Sequence, residues 1–299
     1  MPLDPRAKRL LDMLALSETK AGSATARREG FAKLMSMADR KGPDMAVENL
    51  NASGLPLRVY RPSKQAEAAL VFFHGGGLVA GSLETHDGLC RRLAAASGVN
   101  IIAVDYRLAP EARFPAQLDD AIHAAKWVDA HAHQLGIDPA RLGLGGESVG
   151  ALLAVLASGG EALKSIRIEA QLLLCPVVDL AFDEGSRLEL AKGYMIDADT
   201  IAADIAHCLG PNAEAKDLPS PLRLQTIAQL PYTIIHAAEF DPFRDEAKAL
   251  TAYLANKGAH VSYSSHAGMI HSFYALTAFI PQAEPAIAEI GKELAEALA

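Results

Sequence analysis

The chain has 299 residues, half of them hydrophobic and 6% aromatic, which is enough for one large domain or two modest ones with a substantial core. Its net charge of −8 argues against the proteins that bind nucleic acid through a clustered basic surface. No run approaches the roughly 18 consecutive apolar residues of a membrane helix. We therefore expect neither a nucleic-acid partner nor insertion into a membrane.

The cysteines and the N-terminal residues indicate the cellular compartment in which we expect the protein. Cys90, Cys175 and Cys208 match no zinc or redox spacing, and an odd, sparse set is typical of reduced thiols. The apolar stretch near the start is short and broken by Asp12, unlike a signal peptide. We expect a cytoplasmic protein without disulfides.

Residues 1–45 show helical periodicity. The apolar residues that share one helical face are Ala7, Leu10, Leu11 and Leu14 in a first stretch, and Phe31, Leu34, Met35 and Ala38 in a second. The pattern predicts two amphipathic helices, which either pack on the core as a surface layer or help to cover a substrate.

Short apolar runs replace the helical pattern from about residue 46. Continuous apolarity is typical of strands buried on both faces, as in a parallel sheet. The predicted strands are 69–73, 101–104, 141–145, 170–178 and 232–238, with a further strand-like run at 260–264. Helical patterns separate them, and residues 149–157 are apolar all round, which predicts a buried helix that Gly159 and Gly160 can end. The alternation predicts an α/β fold with a mainly parallel central sheet flanked by helices.

The segment from 181 to 225 interrupts this alternation. It reads as one or two helices and a Pro-rich loop, without a strand. The segment is either a long crossover or an insertion that covers a site together with the N-terminal helices.

Ser148 lies in Gly146-Glu147-Ser148-Val149-Gly150, between a predicted strand and a predicted helix. This G-x-S-x-G pattern is typical of the nucleophile elbow of α/β-hydrolases, in which an Asp or Glu and then a His follow the serine along the chain. The turn is so sharp that the residues two positions on either side must lack a Cβ atom. The helix N-terminus that follows favours developing negative charge.

A serine hydroxyl needs a base to accept its proton, and ten histidines are candidates. Three lie on or near a predicted surface helix, where we expect solvated side chains: His123, His131 and His133. His236 lies inside an apolar strand and is expected to be a hydrogen-bonded core residue. His266 and His271 lie in a predicted loop after the last strand-like run, and their spacing alone does not separate them.

The base needs a carboxylate that fixes its tautomer. Residues 239–246 follow a predicted strand and supply Glu239, Asp241, Asp245 and Glu246. Asp241 precedes Pro242, which favours a turn. The alternative is that these acidic residues cap a helix N-terminus.

A strand at 69–73 runs into His74 and three glycines. Glycines present backbone N–H groups without obstruction, and such donors stabilise the oxyanion of an acyl-transfer intermediate. A phosphate-binding loop is the alternative, but the segment lacks both the GxxxxGK[ST] and the GxGxxG patterns. The elbow in the same chain favours the oxyanion interpretation.

Five motifs occur in a fixed order: HGGG at 74–77, DYRLAPEARFPA at 105–116, GESVG at 146–150, DPFRDE at 241–246 and GMIHSF at 268–273. Together they resemble the hormone-sensitive-lipase-like (bacterial type IV) carboxylesterases over about residues 65–275. The resemblance implies an α/β-hydrolase fold with a helical cap. It implies N-terminal cap helices in 1–45, a cap insertion at 181–225, and a core divided between 46–180 and 226–299.

The resemblance also implies the roles of individual residues. Ser148 is the expected nucleophile, His271 the base and Asp241 its partner. The expected oxyanion donors are the amides of Gly76, Gly77 and Val149. The implied protein is a serine carboxylesterase that hydrolyses small esters with short- to medium-chain acyl groups through an acyl-enzyme, without a metal or organic cofactor. Relatives often pair through the last strand, here near 258–265, which implies a homodimer.

Four positions depart from the family pattern, among them Leu78 in place of a common aromatic residue and Ala151 in place of a frequent Gly. Glu147 stands where the family usually has Asp, and Val149 stands where it usually has Ala. We expect the branched Val149 side chain to narrow the acyl pocket. Amide hydrolysis and acyl transfer use the same machinery and stay open alternatives. A hormone-binding role, as in relatives that lack the histidine, is disfavoured by the presence of His271.

Overall fold

The computed structural model describes residues 2–16, 22–210, 214–218, 220–224, 227–229 and 231–299. Its strands are β1 Ala46–Ala52, β2 Leu55–Arg61, β3 Ala69–Phe73, β4 Asn100–Val104, β5 Leu142–Glu147, β6 Ala170–Leu174, β7 Tyr232–Phe240 and β8 Val261–Ile270. Its helices are α1 Pro5–Leu16, α2 Ala24–Ala38, α3 Asp87–Ser97, α4 Ala116–Leu135, α5 Val149–Gly159, α6 Ser186–Glu189, α7 Ala198–Leu209, α8 Arg244–Asn256 and α9 Ala283–Ala297.

The strands form one sheet in the order β1-β2-β4-β3-β5-β6-β7-β8. β1 and β2 form an antiparallel hairpin, and β2 is also antiparallel to β4. All pairs from β4 through β8 are parallel. Every residue of β3, β4, β5 and β6 is buried, as their continuous apolar runs predict.

Helices cover both faces of the sheet. One core cluster joins a sheet face to α4, α5 and α8, with Val128, Leu152 and Leu250 among its fully or almost fully buried side chains. The other joins the opposite face to α1, α3 and α9, with Leu10 and Leu93 among them. The burial of apolar side chains on both faces stabilises the sheet. Because the strands from β4 to β8 are parallel, their carboxyl ends lie at the same edge.

The predicted buried helix is confirmed, because α5 runs from Val149 to Gly159 with every residue buried. β5 and β7 each extend two residues beyond the predicted ends, and two other strand predictions are wrong by more. β6 ends at Leu174 rather than 178, because Cys175 has a φ of 43° and turns the chain out of the sheet. β8 continues to Ile270, so His266 lies in this strand rather than in the predicted loop.

The two N-terminal helices are confirmed as α1 and α2. Between 181 and 225 the described residues form α6, α7 and two short 3₁₀ turns, without a strand. The parts of these two predictions that fall on 1, 17–21, 211–213, 219 and 225 lie outside the described residues. All three cysteines are free and buried. Among the helices of the described ranges, none combines the length and apolarity needed to span a membrane.

Candidate active site

The predicted site residues follow four parallel strands at the point where each strand ends. The glycine loop follows β3, Ser148 follows β5, Asp241 follows β7 and His271 follows β8. Carboxyl ends of parallel strands meet at one edge of the sheet, where ligands bind in open α/β folds. The topology alone therefore brings segments that are distant in the sequence to one place.

Ser148 occupies a strained turn. Its backbone angles are φ 57° and ψ −120°, which lie outside the regions that non-glycine residues prefer. A Cβ atom on Gly146 would lie 2.3 Å from the carbonyl carbon of Gly150, and one on Gly150 would lie 2.0 Å from the carbonyl oxygen of Phe73. The two glycines are therefore required, as the sequence predicts, because the elbow packs directly against β3 and α5.

Neighbouring backbone groups hold the elbow in position. The N–H of Ser148 donates to the carbonyl of Leu174 at 2.9 Å, and the carbonyl of Ser148 accepts from the N–H of Val177 at 3.1 Å. These bonds tie the turn to the end of β6 and offset a strain of about 1–3 kcal/mol.

The structure brings Ser148, His271 and Asp241 together. The Nε2 atom of His271 lies 3.0 Å from Oγ of Ser148, and its Nδ1 atom lies 2.8 Å from Oδ2 of Asp241. The three residues are only 4%, 2% and 1% exposed. Oδ1 of Asp241 accepts from the N–H of Phe243 at 2.8 Å, in the turn that precedes α8. Asp241 is not the N-cap of α8, which is Phe243 without a side-chain cap hydrogen bond.

The pKa of His271 is raised above its ordinary value. Burial is the largest influence and lowers this pKa, but Asp241, Glu147 and Glu246 together raise it by more. The site thus favours the imidazolium that forms when the ring takes a proton.

His266 lies elsewhere in the sheet. Its Nε2 atom is 3.0 Å from Nδ1 of His236, which is fully buried. Burial, followed by the charge of His266, lowers the pKa of His236 to about 3. His236 is thus the core histidine that the sequence predicts, and the hydroxyl of Ser148 contacts His271 rather than His266.

The other candidate acids have separate partners. Asp245 binds Arg244 and Lys248, and Glu246 forms a buried ion pair with Arg187. Glu239 accepts a hydrogen bond from the N–H of Gly268 at 2.7 Å.

The histidines of α4 differ in exposure. His123 and His133 are exposed, whereas His131 is half-buried. The ring of His123 lies 2.8 Å from the carbonyl oxygen of Ala52, and the ring of His131 lies 2.8 Å from the backbone carbonyl oxygen of Trp127. The prediction of solvated side chains is therefore confirmed for His123 and His133, and it is wrong for His131, whose half-buried ring lies against a backbone carbonyl.

The glycine loop after β3 presents free backbone donors. Gly76 and Gly77 have φ values of 119° and 71°, which favour glycine. Within the described chain, neither N–H forms a hydrogen bond. Val149 is the first residue of α5, so its N–H has no partner within the helix. The three expected donors are thus available at the same sheet edge as Ser148.

His74 and Tyr106 brace this loop. The hydroxyl of Tyr106 donates to the carbonyl of His74 at 2.7 Å, and the two rings stack with centroids 4.2 Å apart. Burial is the main cause that lowers the pKa of His74 to about 3, so this ring is neutral. The contact gives Tyr106, in the segment 105–116, a structural role beside the loop.

Sequence reasoning missed an ion pair beside the loop. Oδ2 of Asp204, on α7, lies 3.3 Å from Nη2 of Arg27, on α2. A Cβ atom on Gly77 would lie 1.9 Å from the same carboxylate oxygen. Burial raises the pKa of Asp204 to about 6. The only signal in the sequence is an acidic residue among the apolar positions of this helix.

One group of residues has the composition of a metal site. Potential ligand atoms of Cys175, Asp241 and His271 lie within 4.8 Å of one another. Burial raises the pKa of the Cys175 thiol well above its ordinary value, whereas metals bind the thiolate. The donor set thus fits a hydrogen-bonded His–Asp pair beside a neutral thiol better than it fits a metal.

Comparison with known proteins identifies a fold family and several similar proteins. A family described by the alpha/beta hydrolase fold matches residues 70–275. An ethyl acetate hydrolase of Pseudomonas putida is 34% identical over 85% of this chain and 82% of its own. A carboxylesterase of Mycobacterium tuberculosis is 31% identical over 95% and 92%. The solved structure of an ester hydrolase from the metagenome of Lake Arreo is 31% identical, covers 98% of each chain and superposes with a TM-score of 0.91.

Proposed function

The chain belongs to the α/β-hydrolase-fold family that matches residues 70–275, and from this premise we propose that it is a serine carboxylesterase for short- to medium-chain acyl esters. The observation that carries the proposal is the hydrogen-bonded series Ser148–His271–Asp241, with distances of 3.0 Å and 2.8 Å. The relatives named for ester hydrolysis support an ester as the substrate.

In the proposed mechanism, Oγ of Ser148 attacks the ester carbonyl carbon while Nε2 of His271 takes the hydroxyl proton. Asp241 accepts the hydrogen bond from Nδ1, which leaves the lone pair of Nε2 facing the serine. The tetrahedral intermediate collapses and expels the alcohol, to which His271 returns the proton. Water then repeats the sequence on the acyl-enzyme and releases the acid.

The oxyanion of each tetrahedral intermediate is proposed to bind the N–H groups of Gly76, Gly77 and Val149. Each such donor contributes roughly 100- to 1000-fold to the rate. The positive φ values at Gly76 and Gly77 support this assignment, because they turn the loop without side chains that would fill the space.

We further propose that residues 1–45 and 181–225 form a cap over the site. Three contacts support it: Arg27 of α2 pairs with Asp204 of α7, Asp204 lies against Gly77, and Sγ of Cys208 lies 3.5 Å from the Gly77 carbonyl. A cover of this kind would select esters by the size of their acyl and alcohol groups.

A homodimer is the proposed assembly. β8 is an edge strand of the sheet, and an unpaired edge offers backbone groups to a second copy. The chain mass is 31.6 kDa, so sedimentation would distinguish a dimer of twice this mass from a monomer.

The proposal is tested with nitrophenyl esters of increasing acyl length. We expect kcat/KM to be highest between the acetyl and octanoyl esters and to fall for palmitoyl. Ser148→Ala should lose at least about 1000-fold of this activity, because the nucleophile is absent. A folded wild-type protein that hydrolyses none of these esters would favour a binding role and contradict the proposal.

A further inference from the structure

Glu147 is a buried carboxylate that the proposed mechanism does not use. It is the last residue of β5, directly before Ser148, and is 3% exposed. Its side chain lies against the glycine loop, where a Cβ atom on Gly75 would be 1.8 Å from Oε2. The carboxylate therefore occupies space that exists because residue 75 is glycine.

Three polar side chains surround this carboxylate. The hydroxyl of Ser272 donates to Oε1, and Nε2 of His86 lies 3.5 Å from Oε2. Nε2 of His271 lies 3.9 Å from Oε1. This is the nitrogen that faces Ser148 and takes its proton in the proposed mechanism. Positive charge would therefore develop close to Glu147 during the reaction.

His86 lies between the glycine loop and a threonine. The N–H of Gly75 donates to Nε2 of His86 at 3.3 Å, and Nδ1 of the same ring lies 2.9 Å from Oγ1 of Thr85. The Thr85 hydroxyl donates to the carbonyl of Ser82 at 3.0 Å. These contacts hold the His86 ring beside Oε2 of Glu147.

Glu147 is ionised in spite of its burial. Burial is the largest influence and raises its pKa, but His86, His271 and Ser272 together lower it below the ordinary value. In the proposed mechanism, this carboxylate therefore faces the positive charge that His271 gains when it takes the proton.

We propose, on the premise of the proposed function, that Glu147 is a positioning residue whose negative charge stabilises the His271 imidazolium formed as Ser148 attacks. In this step the Oγ electron pair forms the bond to the carbonyl carbon, the carbonyl π pair moves to its oxygen, and the hydroxyl proton moves to Nε2. At 3.9 Å, Glu147 is too distant to take that proton. An attraction that appears only after proton transfer stabilises the transition state more than the ground state.

Other titratable groups face this pair of residues. They are His74 after β3, Tyr106 after β4, Cys175 after β6, Asp241 and Glu246 around the start of α8, and Tyr274 after β8. Burial keeps the tyrosines, the thiol and His74 neutral. Glu246 is paired with Arg187, so the remaining carboxylates are Asp241 at Nδ1 and Glu147 near Nε2. The ring lies between two carboxylates.

The test compares the pH dependence of kcat/KM for wild type and Glu147→Gln, using a soluble nitrophenyl ester. An opposite charge at this distance raises a pKa by about one unit or more. The acid limb is the pH range in which kcat/KM falls on acidification as His271 is protonated. We expect this limb to lie about one pH unit lower in Glu147→Gln than in wild type, and kcat to fall about tenfold. An acid limb unchanged from wild type, in a folded variant, would overturn the proposal.

Two further variants separate charge from packing. Ser272→Ala removes the hydrogen bond to Oε1 but keeps the charge, so its rate should fall while its acid limb stays at the wild-type pH. Glu147→Asp shortens the side chain by one methylene group and so moves the charge away from His271. Its acid limb should lie between those of wild type and Glu147→Gln. If Glu147→Gln does not fold, an unshifted Glu147→Asp overturns the proposal. Absence of hydrolysis by the wild type would instead refute the proposed function.

Discussion

The hydroxyl of Ser148 meets the imidazole of His271, whose opposite nitrogen contacts Asp241. His266, five residues earlier, faces His236 instead. The distinction matters because both histidines lie near the end of β8 and have the same intrinsic chemistry. Only the direction in which each side chain leaves the chain decides which one can accept the serine proton.

His271→Ala should lower kcat/KM for a short nitrophenyl ester by about 1000-fold or more, because no other base reaches Ser148 in the described structure. His266→Ala is the matched control and should change kcat/KM by less than about fivefold. Steady-state kinetics at neutral pH measures both. If His266→Ala were inactive and His271→Ala retained its kcat/KM, the base would be assigned wrongly.

The strand–turn–helix element of β5 and α5 depends on close backbone approach. Gly150 lies against the carbonyl of Phe73, so the first turn of α5 is locked to the end of β3. This contact couples the elbow to the glycine loop. The element thus sets the relative position of the nucleophile and its expected oxyanion donors.

Gly150→Ala should destabilise the protein by about 2–4 kcal/mol, because the new methyl group meets backbone atoms that cannot move aside. Gly30→Ala in α2 is the control: a Cβ atom there meets nothing within 4 Å, and the change should stabilise by about 0.5–1 kcal/mol. Urea unfolding measures both. Equal stability of Gly150→Ala and wild type would contradict the packing described here.

The local sequence was sufficient to predict the strand, turn and helix around Ser148. It was not sufficient to identify the histidine that contacts the serine hydroxyl. The glycines around Ser148 and the apolar run after it lie within a dozen residues, so turn and helix could be predicted directly. The choice between His266 and His271 depends on β8 continuing to Ile270, and without the family resemblance it stayed open. The contact of Asp204 with Arg27 and Gly77 joins residues far apart in the chain, and no short pattern encodes it.

For the whole molecule, two buried histidines make the free energy of unfolding depend on pH. His74 and His236 both have a pKa of about 3, mainly through burial, whereas an unfolded chain has a histidine pKa of about 6.5. Between these values the unfolded state binds a proton that the folded state does not. Stability should therefore fall as the pH drops below about 6.5, by about 1.4 kcal/mol per pH unit for each histidine.

His236→Gln should be less stable than wild type at neutral pH, since it disturbs the core, but its stability should fall less steeply on acidification. The difference from wild type should shrink by about 1 kcal/mol per pH unit between pH ~6 and ~5. Urea unfolding at several pH values measures this, with His133→Gln as the control because the His133 side chain is exposed. Parallel curves for His236→Gln and wild type would contradict a neutral buried His236.

The most direct measurement treats the protein with a fluorophosphonate and locates the adduct by peptide mass spectrometry. A nucleophilic Ser148 beside His271 predicts one adduct per chain on residue 148, together with loss of ester hydrolysis. It also predicts much slower labelling of His271→Ala. An intact Ser148 in a chain that still hydrolyses esters, or an adduct on another residue, would contradict the proposed function.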